Sequence, residues 1–266
     1  MTSRRLSAAN AVITISNRLW KLGSWEAQSK QEFETTGVAR SCKTPIITRF
    51  LSYSFKRALP FELDAAVDPL HSARKIVISG PPPVQVLDVT GPLEVFSNVP
   101  DYQVEIVSSD GTDHLKTNRG TALSGAVSPA TVSGPIDTLV IAGGPGAEGG
   151  EYDADYVCWI ADAAGRSRRV ASICTGAFLL AAAGLLDGKR VVTHWNFCDR
   201  LAREFPKVNI LPDPIFLRDG SIYTSAGITA GIDLSLALVE EDHGHQTALT
   251  VARQLVMFLV RPGGQV

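Results

Sequence analysis

Cys174 is the residue of this chain best suited to specific chemistry. It ends a short β-branched run and is followed by a segment rich in small residues, 176–184. This order predicts a buried strand, a sharp turn at the cysteine and then a helix, which is the arrangement of a nucleophile elbow. Unpaired N–H groups and the dipole at a helix N-terminus favour a thiolate, so we expect Cys174 to be reactive, with Thr175 beside it. The alternative is a small core cysteine.

Asp88 and His194 are the candidate acid–base groups. Asp88 stands before a predicted helix, where it is either a proton-transfer group or a turn and cap residue. His194 follows a predicted strand at 190–193, and a right-handed crossover from the elbow helix would put it one strand away from Cys174. A packing histidine beside Trp195 is the alternative.

A glycine run, 142–146 (AGGPG), follows a predicted strand at 138–142. One interpretation is that Gly143 and Gly144 bring bare backbone N–H groups beside the elbow, where they and the Thr175 N–H would hold an oxyanion. The run also fits a dinucleotide-binding pattern, but the next strand ends in a cysteine and offers no acid for a ribose. A flexible loop is the third interpretation. We expect neither a cofactor nor a metal ion.

Short strands and helices alternate from residue 74 onward, which is typical of a parallel sheet with crossover helices. Strands are predicted at 75–78, 104–107, 138–142, 170–173 and 190–193. Hairpin elements are predicted at 117–123 and at 215–224, the latter turning on Asp219-Gly220. Helices are predicted at 91–98, 152–165, 176–184, 196–205, 229–242 and 245–260. Since open parallel sheets bind ligands beyond the carboxyl ends of their strands, the candidate residues should meet at one edge.

Charge divides the 266 residues into two parts. Residues 1–75 carry 12 Lys/Arg against 6 Asp/Glu, whereas residues 76–266 carry 13 against 21. We assign 1–72 to a basic, poorly ordered extension, either a docking arm or a segment with no specific role, and 73–262 to the α/β domain. An acidic domain predicts no direct DNA binding.

The cellular location is predicted from the cysteines and from the apolar stretches. No apolar stretch approaches the length that a membrane span needs, so we expect no membrane partner. Four cysteines without C-x-x-C spacing predict a reducing cytoplasm.

Four stretches together resemble the ThiJ/PfpI superfamily, over about residues 74–264. They are 87–96 (LDVTGPLEVF), 173–178 (ICTGAF), 193–195 (THW) and 224–234 (TSAGITAGIDL). They look like the branch that contains the sensor halves of GlxA-type AraC-family transcription regulators and the isonitrile hydratases. The resemblance implies a flavodoxin-like three-layer sandwich with a mostly parallel sheet.

The resemblance also implies two functions. The favoured one is a homodimeric domain that senses a small molecule, resembling the regulators' N-terminal half. Residues 261–265 (RPGGQ) look like the linker before their helix-turn-helix, so we interpret 263–266 as a truncated linker and expect the DNA-binding half to be absent. The alternative is a cysteine-dependent enzyme of isonitrile hydratase type. Whether the chain is an enzyme at all stays open.

The site of the hydratases is similar to Asp88, Cys174 and Thr175 here. The residues assigned to an oxyanion hole or pocket are Gly91, Gly143, Gly144 and His194. Thr175 stands where the PfpI peptidases have a histidine, which argues against proteolysis. Residues 79–83 (SGPPP) also replace the family's usual aromatic-Pro-Gly after the first strand.

Overall fold

The computed structural model describes residues 73–259 and 264–265. The predictions for residues 1–72 lie outside these ranges. The strands are β1 Arg74–Gly80, β2 Tyr102–Ser108, β3 His114–Lys116, β4 Ala122–Ser124, β5 Ile136–Ile141, β6 Ser167–Ile173, β7 Arg190–Val191, β8 Asn209–Ile210, β9 Phe216–Asp219 and β10 Ile222–Ser225. The α-helices are α1 Val86–Ser97, α2 Pro145–Glu148, α3 Ala154–Gly165, α4 Gly176–Ala182, α5 Cys198–Glu204 and α6 Ala230–Gln254.

The central sheet has six strands in the order β2-β1-β5-β6-β10-β9. The first five are parallel, and β9 joins β10 as an antiparallel hairpin through Asp219 and Gly220. The predicted α/β class and mostly parallel sheet are therefore confirmed. Because parallel strands end at the same edge, the loops that follow β1, β5, β6 and β10 come together there.

Alternate residues of each strand point to opposite sides of the sheet, so both faces are apolar and helices cover both. On one face, Ile76 and Ile78 of β1 pack with residues of α1 and α6. On the other face, Val77 of the same strand shares a core with residues of α3 and α4, among them Ile160 and Phe178. The result is the three-layer sandwich that the sequence predicted.

One predicted strand has a different place in the structure. The run at 190–193 was expected to be a strand of the main sheet, but only Arg190–Val191 is a strand, and it pairs with β8 in a separate two-stranded sheet. The strand beside β6 is β10 instead, supplied by the predicted hairpin. The last two predicted helices are present as two segments of α6, and the non-helical break at Gly244 (φ 78°) that separates them falls between the predicted bounds 242 and 245.

A buried ion cluster lies at the amino ends of the strands, opposite the candidate site. Arg169 in β6 is 2% exposed, and its Nη2 contacts Oδ2 of Asp242 in α6 at 2.5 Å. Arg74 and Arg168 also contact the Asp242 carboxylate, at 3.1 and 2.8 Å. These bonds tie α6 to the start of the sheet.

Among the helices of residues 73–259, none combines the length and apolar character needed to cross a membrane.

Candidate active site

Cys174 forms the turn between β6 and α4. Its backbone adopts φ +57°, in the left-handed region that costs a non-glycine residue free energy. Helix α4 follows so closely that a Cβ on Gly176 would lie 2.1 Å from the carbonyl oxygen of Ile141 in β5. The geometry is therefore the strand, strained turn and helix that the sequence predicted, with Cys174 95% buried.

Asp88 lies in the first turn of α1 and is fully buried. Its Oδ2 accepts a hydrogen bond from the Gly143 N–H at 3.2 Å, and its Oδ1 accepts one from the Ile228 N–H at 2.7 Å. The Cys174 thiol lies close enough to the same carboxyl group to lower its pKa. The structure thus brings together the two groups that the sequence singled out for acid–base and nucleophilic chemistry.

Burial raises the pKa of Asp88 to about 6. The hydrogen bonds from Ile228 and Gly143 and the nearby Cys174 thiol oppose this rise because they stabilise the carboxylate, but desolvation outweighs them. A carboxyl group with a pKa near neutrality exchanges protons readily in both directions. Asp88 is therefore suited to general acid–base catalysis.

The Cys174 thiol differs from the thiolate expected at a helix N-terminus. Burial raises the pKa of the thiol well above its usual range, and the neighbouring Asp88 carboxylate raises it further. The N–H of Thr175 lowers the pKa by a smaller amount. Desolvation and a like charge thus favour the neutral thiol and outweigh the amide at the start of the short helix α4.

The turn Gly227-Ile228 after β10 completes the cluster, and it was not predicted as part of the site. Gly227 has φ +94°, and a Cβ on it would lie 2.3 Å from Cβ of Cys174. Ile228 has φ +55°, which is strained for a β-branched residue, and this conformation presents its N–H to Asp88. Two residues with strained backbone, Cys174 after β6 and Ile228 after β10, therefore flank the buried Asp88 carboxyl group.

The amides proposed for an oxyanion hole already have partners in this structure. The Gly143 N–H donates to Asp88, and the Gly144 N–H donates to Oγ1 of Thr175 at 2.9 Å. The Thr175 N–H interacts with Cys174. A Cβ on Gly143 would lie 2.5 Å from the Thr175 nitrogen, so the glycine permits this close approach. An oxyanion held here would have to replace these bonds.

His194 reaches the site region from a loop instead of a strand of the main sheet. Its Nδ1 accepts a long hydrogen bond from the Asn196 N–H at 3.4 Å, and partial burial lowers the pKa of its ring. The neighbouring Thr193 is bonded directly to Cys174, because its Oγ1 donates to the Cys174 carbonyl oxygen at 2.8 Å. The sequence analysis placed Thr193 in the stretch 193–195 but gave it no role in the site.

Gly91 lies inside α1, away from these contacts. A Cβ at this position would lie 2.8 Å from Cγ1 of Ile232 in α6, so the glycine allows the two helices to pack closely. Gly91 was predicted to line the pocket, but it is not among the residues that contact Cys174 or line the cavity.

A cavity of about 280 Å³ adjoins this cluster. Gly227 and Ile228 form one wall, and His194 and Trp195 are also among the lining residues. Trp195 is 57% exposed, which is unusual for so large an apolar side chain. Cys174 and Asp88 are not among the lining residues, but two lining residues contact them: Gly227 packs against Cys174, and the Ile228 N–H bonds to Asp88.

Metal binding has no support in the described ranges, where His, Cys, Asp and Glu side chains form no group of three that could hold an ion. The polar groups that do converge are a thiol, a carboxyl group, a hydroxyl group and backbone amides. This set is suited to proton transfer and to addition at a polarised carbon.

The sequence profile of the DJ-1/PfpI family matches residues 74–241. Isonitrile hydratase of Pseudomonas putida is 38% identical over 177 residues, which are 65% of this chain and 74% of that protein. The HTH-type transcriptional regulator CdhR of Pseudomonas aeruginosa is 43% identical over 90 residues, which are 34% of this chain and 26% of the regulator. A solved ThiJ/PfpI family protein from Pseudomonas syringae superimposes with a TM-score of 0.66 at 27% identity, covering 77% of this chain and 84% of that one.

Proposed function

The chain belongs to the DJ-1/PfpI family, and from this premise we propose that it catalyses the hydration of a small isonitrile to an N-substituted formamide. The observation that carries the proposal is that the buried Cys174 and the buried Asp88 meet at one turn, Gly227-Ile228, with strained backbone at Cys174 and Ile228. Strain of this kind persists where a site needs it. The similarity to isonitrile hydratase over 74% of that protein supports the same choice.

In the first step, the Cys174 sulfur bonds to the terminal carbon of R–NC. The S–H bond breaks, and the Asp88 carboxylate takes the proton and passes it to the same carbon. The product is a thioformimidate, R–N=CH–S–Cys174. A neutral thiol is the right starting form, because its proton is consumed in the addition. An Asp88 pKa of about 6 lets the carboxyl group accept and return that proton near neutral pH.

In the second step, a water molecule adds to the thioformimidate carbon. Asp88 takes a proton from the water and delivers it to the departing sulfur, which restores the thiol. The released R–N=CH–OH tautomerises to R–NH–CHO, so one water is consumed and no oxidant or reductant is needed. The cavity beside Gly227 and Trp195 would hold the apolar R group.

The experiment is a turnover assay with small aliphatic and aromatic isonitriles, following the formamide product. Asp88→Asn and Cys174→Ala should each lose at least about 100-fold in kcat, as expected for removal of a proton-transfer group or a nucleophile. Cys158→Ala is the matched control, because Cys158 is exposed and lies in α3. Wild-type turnover that survives both site substitutions would refute the proposal.

A second candidate is a ligand-sensing domain, favoured by the 43% identity to a segment of a transcriptional regulator. A sensor needs the cavity but no proton transfer, so ligand affinity would survive Asp88→Asn or Cys174→Ala. The same panel of compounds distinguishes the two functions. A ligand that raises the melting temperature of wild type without being turned over would favour the sensor. A homodimer and a cytoplasmic location remain predictions under either function.

A further inference from the structure

The segment Gly264-Gln265 forms part of the wall of the cavity beside the site. It lies more than 30 positions after the Gly227-Ile228 turn in sequence, and it bonds to the loop that contains Thr193. No part of the proposed chemistry uses it. It nevertheless makes specific hydrogen bonds to two other loops.

The Gln265 side-chain amide holds together two loops. The two N–H groups of its Nε2 are shared among the carbonyl oxygens of Thr193, Pro212 and Pro214, at 3.1, 3.0 and 3.2 Å from the nitrogen, and its backbone N–H donates to the Asp213 carbonyl at 2.8 Å. Three acceptors around one nitrogen fix the orientation of the amide, because only the NH₂ end can donate to them. A carboxylate at this position would face three carbonyl oxygens with no donor.

Gly264 gives an independent indication that the segment is fitted to this place. A Cβ on Gly264 would lie 2.1 Å from Oδ1 of Asp213, so any side chain would push the segment away from the loop. Glycine and glutamine thus contribute in different ways to one close contact with residues 212–214.

Thr193 connects this contact to the thiol. Its carbonyl oxygen accepts from Gln265, and its hydroxyl donates to the Cys174 carbonyl at 2.8 Å. His194 and Trp195, which line the cavity, follow directly. A shift of Thr193 would therefore move both the backbone of Cys174 and the aromatic wall.

We propose that Gln265 is a positioning residue that, through Thr193, holds the cavity wall beside Gly227, the residue packed against Cys174, and so limits the size of the compound that reaches the thiol. By anchoring Thr193 and residues 212–214 together, it keeps the His194-Trp195 wall at a fixed distance from the thiol. Loss of the anchor widens the cavity, so discrimination by size falls. The choice of isonitriles as substrates rests on the proposed function, but the positioning role does not.

The test compares Gln265→Glu with wild type. The two alkylating probes are iodoacetamide and the larger N-phenylmaleimide, and mass spectrometry of the Cys174 peptide gives each rate constant. At Cys174, the ratio of the N-phenylmaleimide rate constant to the iodoacetamide rate constant should rise at least tenfold in the variant. With turnover present, kcat/KM for cyclohexyl isonitrile relative to methyl isonitrile should rise in parallel. Gln254→Glu, the same change at an exposed position of α6, is the matched control and should leave both ratios unchanged.

Gly264→Ala is the second variant, because it displaces the segment by a clash and keeps the Gln265 amide. It should raise the alkylation ratio in the same direction. A ratio within twofold of wild type in both folded variants would overturn the proposal. Failure of both variants to fold would also overturn it, since Gln265 would then act on global stability. Absence of any isonitrile turnover with a tenfold change in alkylation would refute the hydratase and support the positioning role.

Discussion

Oδ1 of Asp88 and the backbone N–H of Ile228 form a 2.7 Å hydrogen bond between positions 140 residues apart in the chain. This bond joins the helix after β1 to the turn after β10. It depends on the left-handed conformation of Ile228, which presents the N–H to the carboxylate. The acid–base group is therefore held by a distant loop as well as by its own helix.

The pH dependence of turnover should report Asp88. The carboxylate form must be present to take the thiol proton, and burial raises its pKa to about 6. We expect kcat/KM to rise with pH about tenfold per unit below 6 and to level off above it. Initial rates between pH 4.5 and 8 measure this. A flat profile in that range would contradict the role of Asp88.

The free energy of unfolding should also depend on pH through Asp88, but it should fall as pH rises. The folded-state pKa of Asp88 lies above the unfolded value near 3.8, so the folded protein binds the proton more tightly. This contribution is therefore present at low pH and is lost as pH rises from about 4 to 6. At about 1.4 kcal/mol per pKa unit, the unfolding free energy should fall by about 3 kcal/mol across this window.

Asp88→Asn provides the comparison, because it cannot titrate. Urea denaturation of both proteins at pH 4, 5, 6 and 7 should show the Asp88 decrease only in wild type. An equal pH dependence in the two proteins would mean that other groups cause it.

Gly227→Ala should displace the thiol. The new Cβ would lie 2.3 Å from Cβ of Cys174, in addition to the strain of φ +94°. We expect loss of turnover and a lower melting temperature. Gly220→Ala is the matched control, because Gly220 also has a positive φ, +67°, but its nearest neighbour would be the Lys189 amine at 3.6 Å. A similar effect of both changes on turnover would show that backbone strain alone, and not the clash, is responsible.

Thr193→Val should reduce activity with little change in side-chain shape. It removes the 2.8 Å hydrogen bond to the Cys174 carbonyl, at a cost of about 1 kcal/mol or more because both groups are buried. Thr131→Val is the control, since the Thr131 hydroxyl bonds to the Ser128 carbonyl at an exposed site. Denaturation midpoints and kcat should separate the two variants, and equal kcat values would argue against a role of Thr193 in placing Cys174.

Alkylation should rank the cysteines by exposure. Cys158 is exposed, whereas Cys174 is buried and burial raises the pKa of its thiol. With iodoacetamide at pH 7, the Cys158 peptide should therefore label faster than the Cys174 peptide. Faster labelling of Cys174 would show that its thiolate is more accessible than the resting geometry allows.

The types and order of neighbouring residues in the sequence predicted two parts of the site, Cys174 and Asp88. A β-branched run, a cysteine and small residues gave the turn at Cys174, and the start of a helix gave Asp88. These features depend on neighbouring residues, so the sequence pattern contains them. Ile228, Thr193 and Gln265 lie in stretches that carry the family resemblance, but they contribute through backbone groups or bonds to distant loops, and residue type and spacing do not show such contacts.

The error at residues 190–193 has a similar cause. A β-branched run predicts an extended backbone but not the sheet that the strand joins. The hairpin β9–β10 occupies the place beside β6, and Arg190–Val191 pairs with β8. Because the position of His194 was inferred from that placement, it was wrong in the same way, although His194 still lines the cavity through its loop.

The positive φ of Cys174 has a consequence for how such a protein evolves. Glycine adopts this conformation without a steric penalty, so a cysteine-to-glycine change at position 174 removes the reactive group and relieves backbone strain in one mutation. The relief offsets part of the packing lost with the sulfur. An ancestral catalyst therefore loses less stability in becoming a binding module than the loss of a buried sulfur alone would cost, and the reverse path must accept strain to gain chemistry.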